Sequence, residues 1–141
     1  MKRSNFIVSL LTAAPLTALA HSTLNKPRDG KGFKIKSGEG RYHGSIKLKG
    51  VNQNLIDVKV SGKDTDGDLA IFEQTSLSPG RGTPLHVHLK QDEIFYVLEG
   101  EYGFALGNEK FRLKKGESVF LPRQVPHSWI QLSERGKMRL D

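Results

Sequence analysis

Three histidines and one glutamate in the second half of the chain are residue types that bind divalent metal ions. His86 and His88 are separated by one residue, and Glu93 follows five positions later. His127 lies further downstream. Three imidazoles and one carboxylate can bind a first-row divalent ion and leave coordination positions open for a substrate. Convergence of the four side chains would therefore form one metal site, in which Glu93 serves as a ligand or as a catalytic base.

The spacing of these residues suits β-strands. Side chains alternate faces along a strand, so His86 and His88 point to the same side, with their Cα atoms roughly 6–7 Å apart. Glu93 opens the apolar run 94–98, and an antiparallel return of this run would bring Glu93 to face the histidine pair. His127 must come from a separate strand, and spacing alone does not place it there.

The same alternation assigns three apolar residues to the ligand side. Phe95 and Val97 share a face with Glu93, and Trp129 shares a face with His127. We expect these three side chains to line a substrate pocket around the ion. Ordinary core packing explains each of them, taken alone, at least as well.

The composition favours an all-β fold in a single domain. The chain has 141 residues with 15 glycines and 6 prolines, and its apolar runs are short. Strands are predicted at 33–36, 45–48, 55–60, 69–75, 102–106, 110–113, 118–121 and 127–132. Hairpin turns are predicted at 66–67 and 107–109. The run 137–140 begins another strand just before Asp141, so the fold is expected to be incomplete or open-edged at its C-terminus.

Two stretches of the chain resemble the sequence motifs of the cupin family. The first motif, G-x5-H-x-H-x4-E-x6-G, is fitted without a departure by Gly80, His86, His88, Glu93 and Gly100. This resemblance implies a double-stranded β-helix, a small jelly-roll barrel with the metal inside it.

The second motif, G-x5-P-x-G-x2-H-x3-N, is matched by Gly116, Pro122 and His127. Gln124 stands where the family usually has Gly, and Gln131 stands where it often has Asn. Glycine permits a positive φ, so Gln124 would be strained if the turn kept that geometry. We therefore expect the turn 123–125 to adopt another form. Gln131 is not at a ligand position of the pattern.

The chain is similar to small single-domain cupins of the quercetin-dioxygenase type. This resemblance implies a metal-dependent dioxygenase acting on a phenolic or enediol small molecule, with Fe, Mn, Ni, Co or Zn as the divalent ion. Two alternatives stay open on the same site. One is an isomerase or lyase of a sugar or keto acid, and the other is a non-catalytic module that binds a metal or small ligand. The family also implies a homodimer.

The N-terminus has the pattern of an export signal. Lys2 and Arg3 precede the largely apolar run 6–19, and Ala18-Leu19-Ala20 presents small residues at the positions that a signal peptidase reads. An N-terminal anchor or a buried helix is the alternative for this run. The predicted organisation is a signal peptide over 1–20, a flexible leader over 21–32 and the cupin domain over 33–141. The predicted location is periplasmic or secreted.

Charge and cysteine content limit the partners. The formal net charge is +7 at pH 7, and the Lys and Arg residues are scattered among acids without a dense basic block. This pattern predicts a basic surface that does not bind nucleic acid. The chain has no cysteine, which does not distinguish oxidising from reducing compartments. We expect a small-molecule partner and no stable membrane association after removal of the signal.

Overall fold

A computed structural model describes residues 30–141, and this part of the chain is built almost entirely of β-strands. The predicted signal peptide over 1–20 and most of the predicted leader over 21–32 lie outside the described residues. Within 30–141, no helix has the length and apolar character needed to cross a membrane.

Ten strands and one 3-10 turn follow one another in the described range. The strands are β1 (Ile46–Lys47), β2 (Leu55–Val60), β3 (Ile71–Ser76), β4 (Gly82–His86), β5 (Glu93–Glu99), β6 (Glu101–Leu106), β7 (Glu109–Lys114), β8 (Ser118–Leu121), β9 (His127–Gln131) and β10 (Gly136–Leu140). The 3-10 turn spans Gly62–Asp64 and begins with a capping box, in which Ser61 and Asp64 exchange side-chain to backbone hydrogen bonds.

The strands form two antiparallel sheets with the core between them. The first sheet has the order β1-β2-β3-β10-β5-β8, and the second has the order β4-β9-β6-β7. Apolar side chains from both sheets are buried together, as shown by Phe95 of β5 and Phe104 of β6, whose ring centroids are 5.4 Å apart. Two sheets packed in this way form a jelly roll, so the predicted all-β fold is confirmed.

The C-terminal strand lies inside its sheet. β10 pairs with β3 on one side and with β5 on the other. The expectation of an open edge at this strand is therefore wrong. The edges of the first sheet are formed by β1 and β8.

Three local predictions concern one strand and two hairpins, and only the strand is wrong. The run 33–36 is not a strand, and its Phe33 ring instead lies beneath the guanidinium of Arg41, which is 3.7 Å from the ring centroid. Asp66 and Gly67 do have positive φ values of 55° and 89°. They lie in the connection 61–70, which includes the 3-10 turn and joins the directly paired antiparallel strands β2 and β3, so the predicted hairpin is confirmed with a longer loop. The hairpin predicted at 107–109 is confirmed, since β6 pairs directly with β7.

Candidate metal centre

Two neighbouring strands of the second sheet position two of the histidines. His86 ends β4 and His127 begins β9, and the two residues face each other in the register of this pair. Their ring centroids are 4.5 Å apart. Strand β9 lies between β4 and β6, so His127 is held in the sheet interior with only 1% of its surface exposed. The separate strand that the sequence required for His127 is therefore β9.

The other two residues are His88, which lies in the connection between the two sheets, and Glu93, which directly follows that connection. His88 lies just after β4, and Glu93 begins β5 in the first sheet, where it faces Leu121 of β8. The predicted antiparallel return of β5 beside β4 is wrong, because these strands belong to different sheets. The segment 87–92 crosses from one sheet to the other, and Glu93 reaches the histidines from the opposite side of the barrel.

The four side chains converge. One ligand atom from each of His86, His88, Glu93 and His127 lies within 4.8 Å of the others. The Glu93 carboxylate contacts two rings, with Oε2 at 3.1 Å from Nε2 of His127 and Oε1 at 3.4 Å from Nε2 of His88. The structure thus brings together all four residues that were selected from their spacing.

Backbone carbonyls orient two of the imidazoles. Nδ1 of His86 lies 2.8 Å from the carbonyl oxygen of Pro84, and Nδ1 of His127 lies 3.0 Å from that of Val125. A carbonyl oxygen can only accept, so these contacts assign the ring hydrogen to Nδ1 and leave the Nε2 lone pair free. Histidines that bind metals commonly have this second contact, which fixes the tautomer and the ring direction.

The electrostatics of the cluster suit a cation. Nε2 of His127 lies 3.1 Å from a carboxylate oxygen of Glu93, so a ring nitrogen and an acidic oxygen are directed at the same point. Nε2 of His88 is buried and makes no hydrogen bond. Nitrogen and oxygen ligands lie about 2.1 Å from such an ion, so two ligand atoms on one ion are at most about 4.2 Å apart. The four ligand atoms lie within 4.8 Å of one another. A small inward shift of the side chains would therefore let all four bind one ion. The residues fit a divalent metal, and their donor types do not select one among Fe, Mn, Ni, Co and Zn.

The three apolar residues predicted on the ligand side face inward. Phe95, Val97 and Trp129 are all buried in the core, so the side-chain alternation inferred from the sequence is correct. The structure shows them packed against other core residues, including the Tyr102 ring, whose centroid is 5.9 Å from that of Trp129. Their role as walls of a substrate pocket stays a prediction.

A family comparison agrees with this fold and site. A family model described as a cupin domain matches residues 66–140, which is more than half of the chain. This chain belongs to the cupin family. The matched range includes all four converging residues of the cupin, while the predicted start of its domain at residue 33 stays a prediction.

Two curated proteins are similar to this cupin in sequence. Quercetin 2,3-dioxygenase of Bacillus subtilis is 33% identical over 118 residues, which are 82% of this chain and 32% of that protein. An uncharacterized protein of Methanocaldococcus jannaschii is 46% identical over 48 residues, which are 34% of this chain and 38% of that protein. The matches thus span about a third of the length of these relatives.

Solved structures support the fold. A predicted oxalate decarboxylase from Thermotoga maritima superimposes on this cupin with a TM-score of 0.60 at 18% identity. The match covers 68% of this chain and 88% of that chain. At this level of identity the likeness establishes the jelly-roll fold alone.

An ion pair that sequence reasoning missed lies beside the metal-site residues of this cupin. The Asp92 carboxylate accepts hydrogen bonds from the backbone N of Arg123 at 2.8 Å, from its Nε at 3.1 Å and from its Nη2 at 2.6 Å. In addition, the backbone N of Gln124 donates to the carbonyl oxygen of His88 at 2.7 Å. These contacts join the segment that carries His88 to the turn that precedes His127. In the sequence, this ion pair was indicated only by the position of Asp92 next to Glu93 and of Arg123 after Pro122.

The Asp92–Arg123 pair makes the stability of this region depend on pH. The hydrogen bonds from Arg123 lower the pKa of Asp92 from 3.8 to about 2. A carboxyl group whose pKa is lower in the folded state stabilises the fold above its ordinary pKa, and this contribution is lost as the pH falls through the folded value. Asp92→Asn should therefore lower the melting temperature above about pH 4, and its difference from wild type should shrink as the pH falls towards about 2. Thermal unfolding in the presence of a chelator measures this difference.

Glu109→Gln is the control for this measurement, because Glu109 is an exposed carboxylate at the start of β7. Its melting temperature should track that of the wild type over the same pH range. An Asp92→Asn difference that stayed constant down to about pH 2 would contradict the proposed pH dependence.

The turn before His127 keeps the backbone geometry that suits glycine. Gln124 has a φ of 66°, so the expectation that the turn adopts another form is wrong. The left-handed conformation costs a non-glycine residue about 1–2 kcal/mol. The hydrogen bond from Gln124 to His88 and the ion pair of Arg123 with Asp92 hold the turn in this conformation.

Gln124→Gly should relieve this strain and raise the free energy of unfolding by about 0.5–1 kcal/mol, since part of the gain is lost to the greater freedom of glycine in the unfolded chain. Chemical denaturation measures the change. Gln91→Gly is the matched control, because Gln91 is exposed and does not have a positive φ. It should be neutral or destabilising, and an equal response of both variants would show that strain at Gln124 is not the cause.

Proposed function

We propose that this cupin is a small metal-dependent dioxygenase that acts on a phenolic or enediol compound. The convergence of three histidines and one glutamate at one end of the barrel is the observation that carries the proposal. The similarity to quercetin 2,3-dioxygenase, which extends over 82% of this chain, supports this choice of reaction. Since the match covers only 32% of that protein, its substrate is not transferred to this chain.

A divalent metal bound by these four residues would supply Lewis acidity and open positions for a bidentate oxygen ligand. The protein supplies orientation, because the carbonyl oxygens of Pro84 and Val125 fix the rings of His86 and His127. Glu93 is the only carboxylate among the four converging residues. We therefore expect Glu93 to be the group that leaves a ligand position and accepts a proton from a substrate hydroxyl.

The context of the reaction is also part of the proposal. We infer that residues 1–20 direct export and that the mature protein acts in the periplasm or outside the cell, on the basis of the N-terminal pattern. Phe95, Val97 and Trp129 would give the inner end of the site an apolar wall suited to an aromatic substrate. A homodimer stays a prediction.

Oxygen uptake by the metal-loaded protein tests the proposal. The mature chain is loaded separately with Fe(II), Mn(II), Ni(II), Co(II) or Zn(II) and is then mixed with a flavonol or a catechol. We expect oxygen consumption with at least one redox-active ion and none with Zn(II). Glu93→Gln should lower the rate by roughly 10²–10⁴-fold if Glu93 transfers a proton.

The same assay separates the alternatives. Anaerobic turnover of a sugar or keto acid with Zn(II) or Mn(II) would replace the dioxygenase with an isomerase or lyase. Tight metal or ligand binding without turnover of any of these compounds would indicate a binding module.

A further inference from the structure

A second concave surface lies on the outer face of the four-stranded sheet, away from the metal centre. It is a groove of about 830 Å³ that runs over β4, β9, β6 and β7. Along β9 the side chains alternate, so His127 and Trp129 point into the core while Ile130 points out and is 39% exposed. None of the four metal-site residues lines the groove. The two sites are therefore separated by the thickness of the sheet.

The floor of the groove is apolar, and two of its residues have very small side chains. Gly103 and Ala105 face outward on β6, and Ile130 and Leu132 stand beside them, with Val51 at one end. A Cβ added at Gly103 would lie 3.1 Å from Cγ2 of Ile130. The concavity thus depends on the two smallest residue types at these positions. Its volume lies within the range of about 300–1,000 Å³ that small-molecule sites have.

The rim of the groove is positively charged. Arg81, Lys110 and Arg112 line it, and no Asp or Glu of the described residues does. Arg112 is partly neutralised by Glu101 outside the groove, at 3.2 Å from Nη1. Arg81 is held over the rim by a contact of 3.4 Å from its Nη1 to the carbonyl oxygen of Val51. Within 30–141, Lys110 has no carboxylate at ion-pair distance.

We propose that this groove is a second binding site, for a small amphipathic anion with an apolar ring or chain and a single carboxylate or sulfonate. The apolar body would cover Ala105, Ile130 and Leu132. The anionic head would lie between Lys110 and Arg112, which are neighbours on the outer face of β7. This proposal rests on a different face of the sheet and does not depend on the metal or on the dioxygenase reaction.

Charge argues against the other candidate occupants. A second copy packed face to face would bring Arg81, Lys110 and Arg112 from each side against the single carboxylate of Glu101 beside the groove, so the facing surfaces would repel each other. The chain segment 21–29 carries Lys26 and Arg28 against Asp29, so it adds positive charge and does not complement the rim. An anion that also has an apolar part matches both the rim and the floor.

Fluorescence titration with anilinonaphthalene sulfonate, an aromatic sulfonate, tests the proposal on the mature protein. We expect one saturable site per chain. Decanoate should displace the dye at least tenfold better than decanol, because only decanoate carries a charge for the rim. His86→Ala should leave the dye affinity within about twofold of wild type, which separates this site from the metal centre.

Three variants locate the site. Lys110→Gln and Arg112→Gln should each weaken dye binding about tenfold or more, since each removes one charged donor. Ala105→Trp should abolish it by filling the floor. Lys115→Gln removes the same charge from an exposed position outside the groove and should leave the affinity unchanged. Circular dichroism confirms that each variant is folded.

Three outcomes would overturn the proposal. Dye binding that is unaffected by all three groove variants would place the dye elsewhere. Equal displacement by decanol would remove the requirement for an anion. Sedimentation showing a dimer that Ala105→Trp dissociates would make a second copy the occupant of the groove.

Discussion

Single replacements of His86, His88 or His127 by Ala are expected to strip the bound metal from the purified protein. Each removes one of only four ligand side chains that converge in the described structure. Loss of a residue that only hydrogen-bonds to a metal ligand lowers metal affinity about 10–100-fold. Loss of a direct ligand should therefore lower the affinity by at least that amount. Elemental mass spectrometry should find roughly one ion per wild-type chain and less than about a tenth of that in each variant.

A fourth histidine provides the control for metal loss. His43 has a φ of 61° and is exposed, so His43→Asn is chosen because Asn tolerates this backbone conformation. Its metal content should equal that of the wild type. Full metal retention in all three of the other single variants would refute a shared site. Because His127 is buried, a melting curve must accompany its variant to distinguish ligand loss from unfolding.

Gly82→Ala is expected to destabilise the protein by about 3 kcal/mol or more and to lower its metal affinity as well. A Cβ at Gly82 would overlap the carbonyl oxygen of Trp129 and would lie 2.7 Å from Cα of Ile130. These are backbone atoms of β9, which cannot rotate away. The methyl group would therefore push β4 from β9 and separate His86 from His127, which face each other on this pair.

Urea denaturation and metal titration of the same samples measure both effects. Gly62→Ala is the matched control, because a Cβ there has only a contact of 3.9 Å and the backbone does not have a positive φ. It should change the free energy of unfolding by no more than about 1 kcal/mol, with a gain from the stiffer unfolded chain. A Gly82→Ala protein as stable as Gly62→Ala would mean that β4 and β9 are not as close as the structure places them.

Local sequence patterns predicted the parts of this fold that depend on side-chain alternation. Phe95, Val97 and Trp129 were assigned to the inner face from strand parity, and all three are buried. The Gly107–Asn108 turn was likewise predicted from neighbouring residues, and it joins two directly paired strands. Such features are determined within a few residues, where the period of a strand is decisive.

Strand pairing was the part that the sequence could not supply. The short connection before Glu93 suggested a hairpin with β4, yet Glu93 faces Leu121, 28 positions further along the chain. The ion pair of Asp92 and Arg123 joins residues 31 positions apart. Contacts of this kind depend on the completed fold, because many registers satisfy the same alternating pattern.

The turn at Gln124 shows how a local penalty can mislead. The positive φ was judged too costly for Gln, which is correct for the isolated residue. In the folded protein the same residue donates a backbone hydrogen bond of 2.7 Å to His88. Hydrogen bonds made in the folded protein can offset the cost of about 1–2 kcal/mol that the left-handed conformation has for a non-glycine residue.

The interior position of β10 has a consequence for biosynthesis. Strands β3 and β5 do not pair with each other, because β10 lies between them. The ribosome makes residues 136–140 after the other described strands of this sheet, so β3 and β5 cannot be joined into one sheet before β10 has been made. Pairings over such long sequence separations also form slowly. The first sheet is therefore completed late, and late completion would suit a chain that a translocon threads unfolded, if residues 1–20 direct the protein to one.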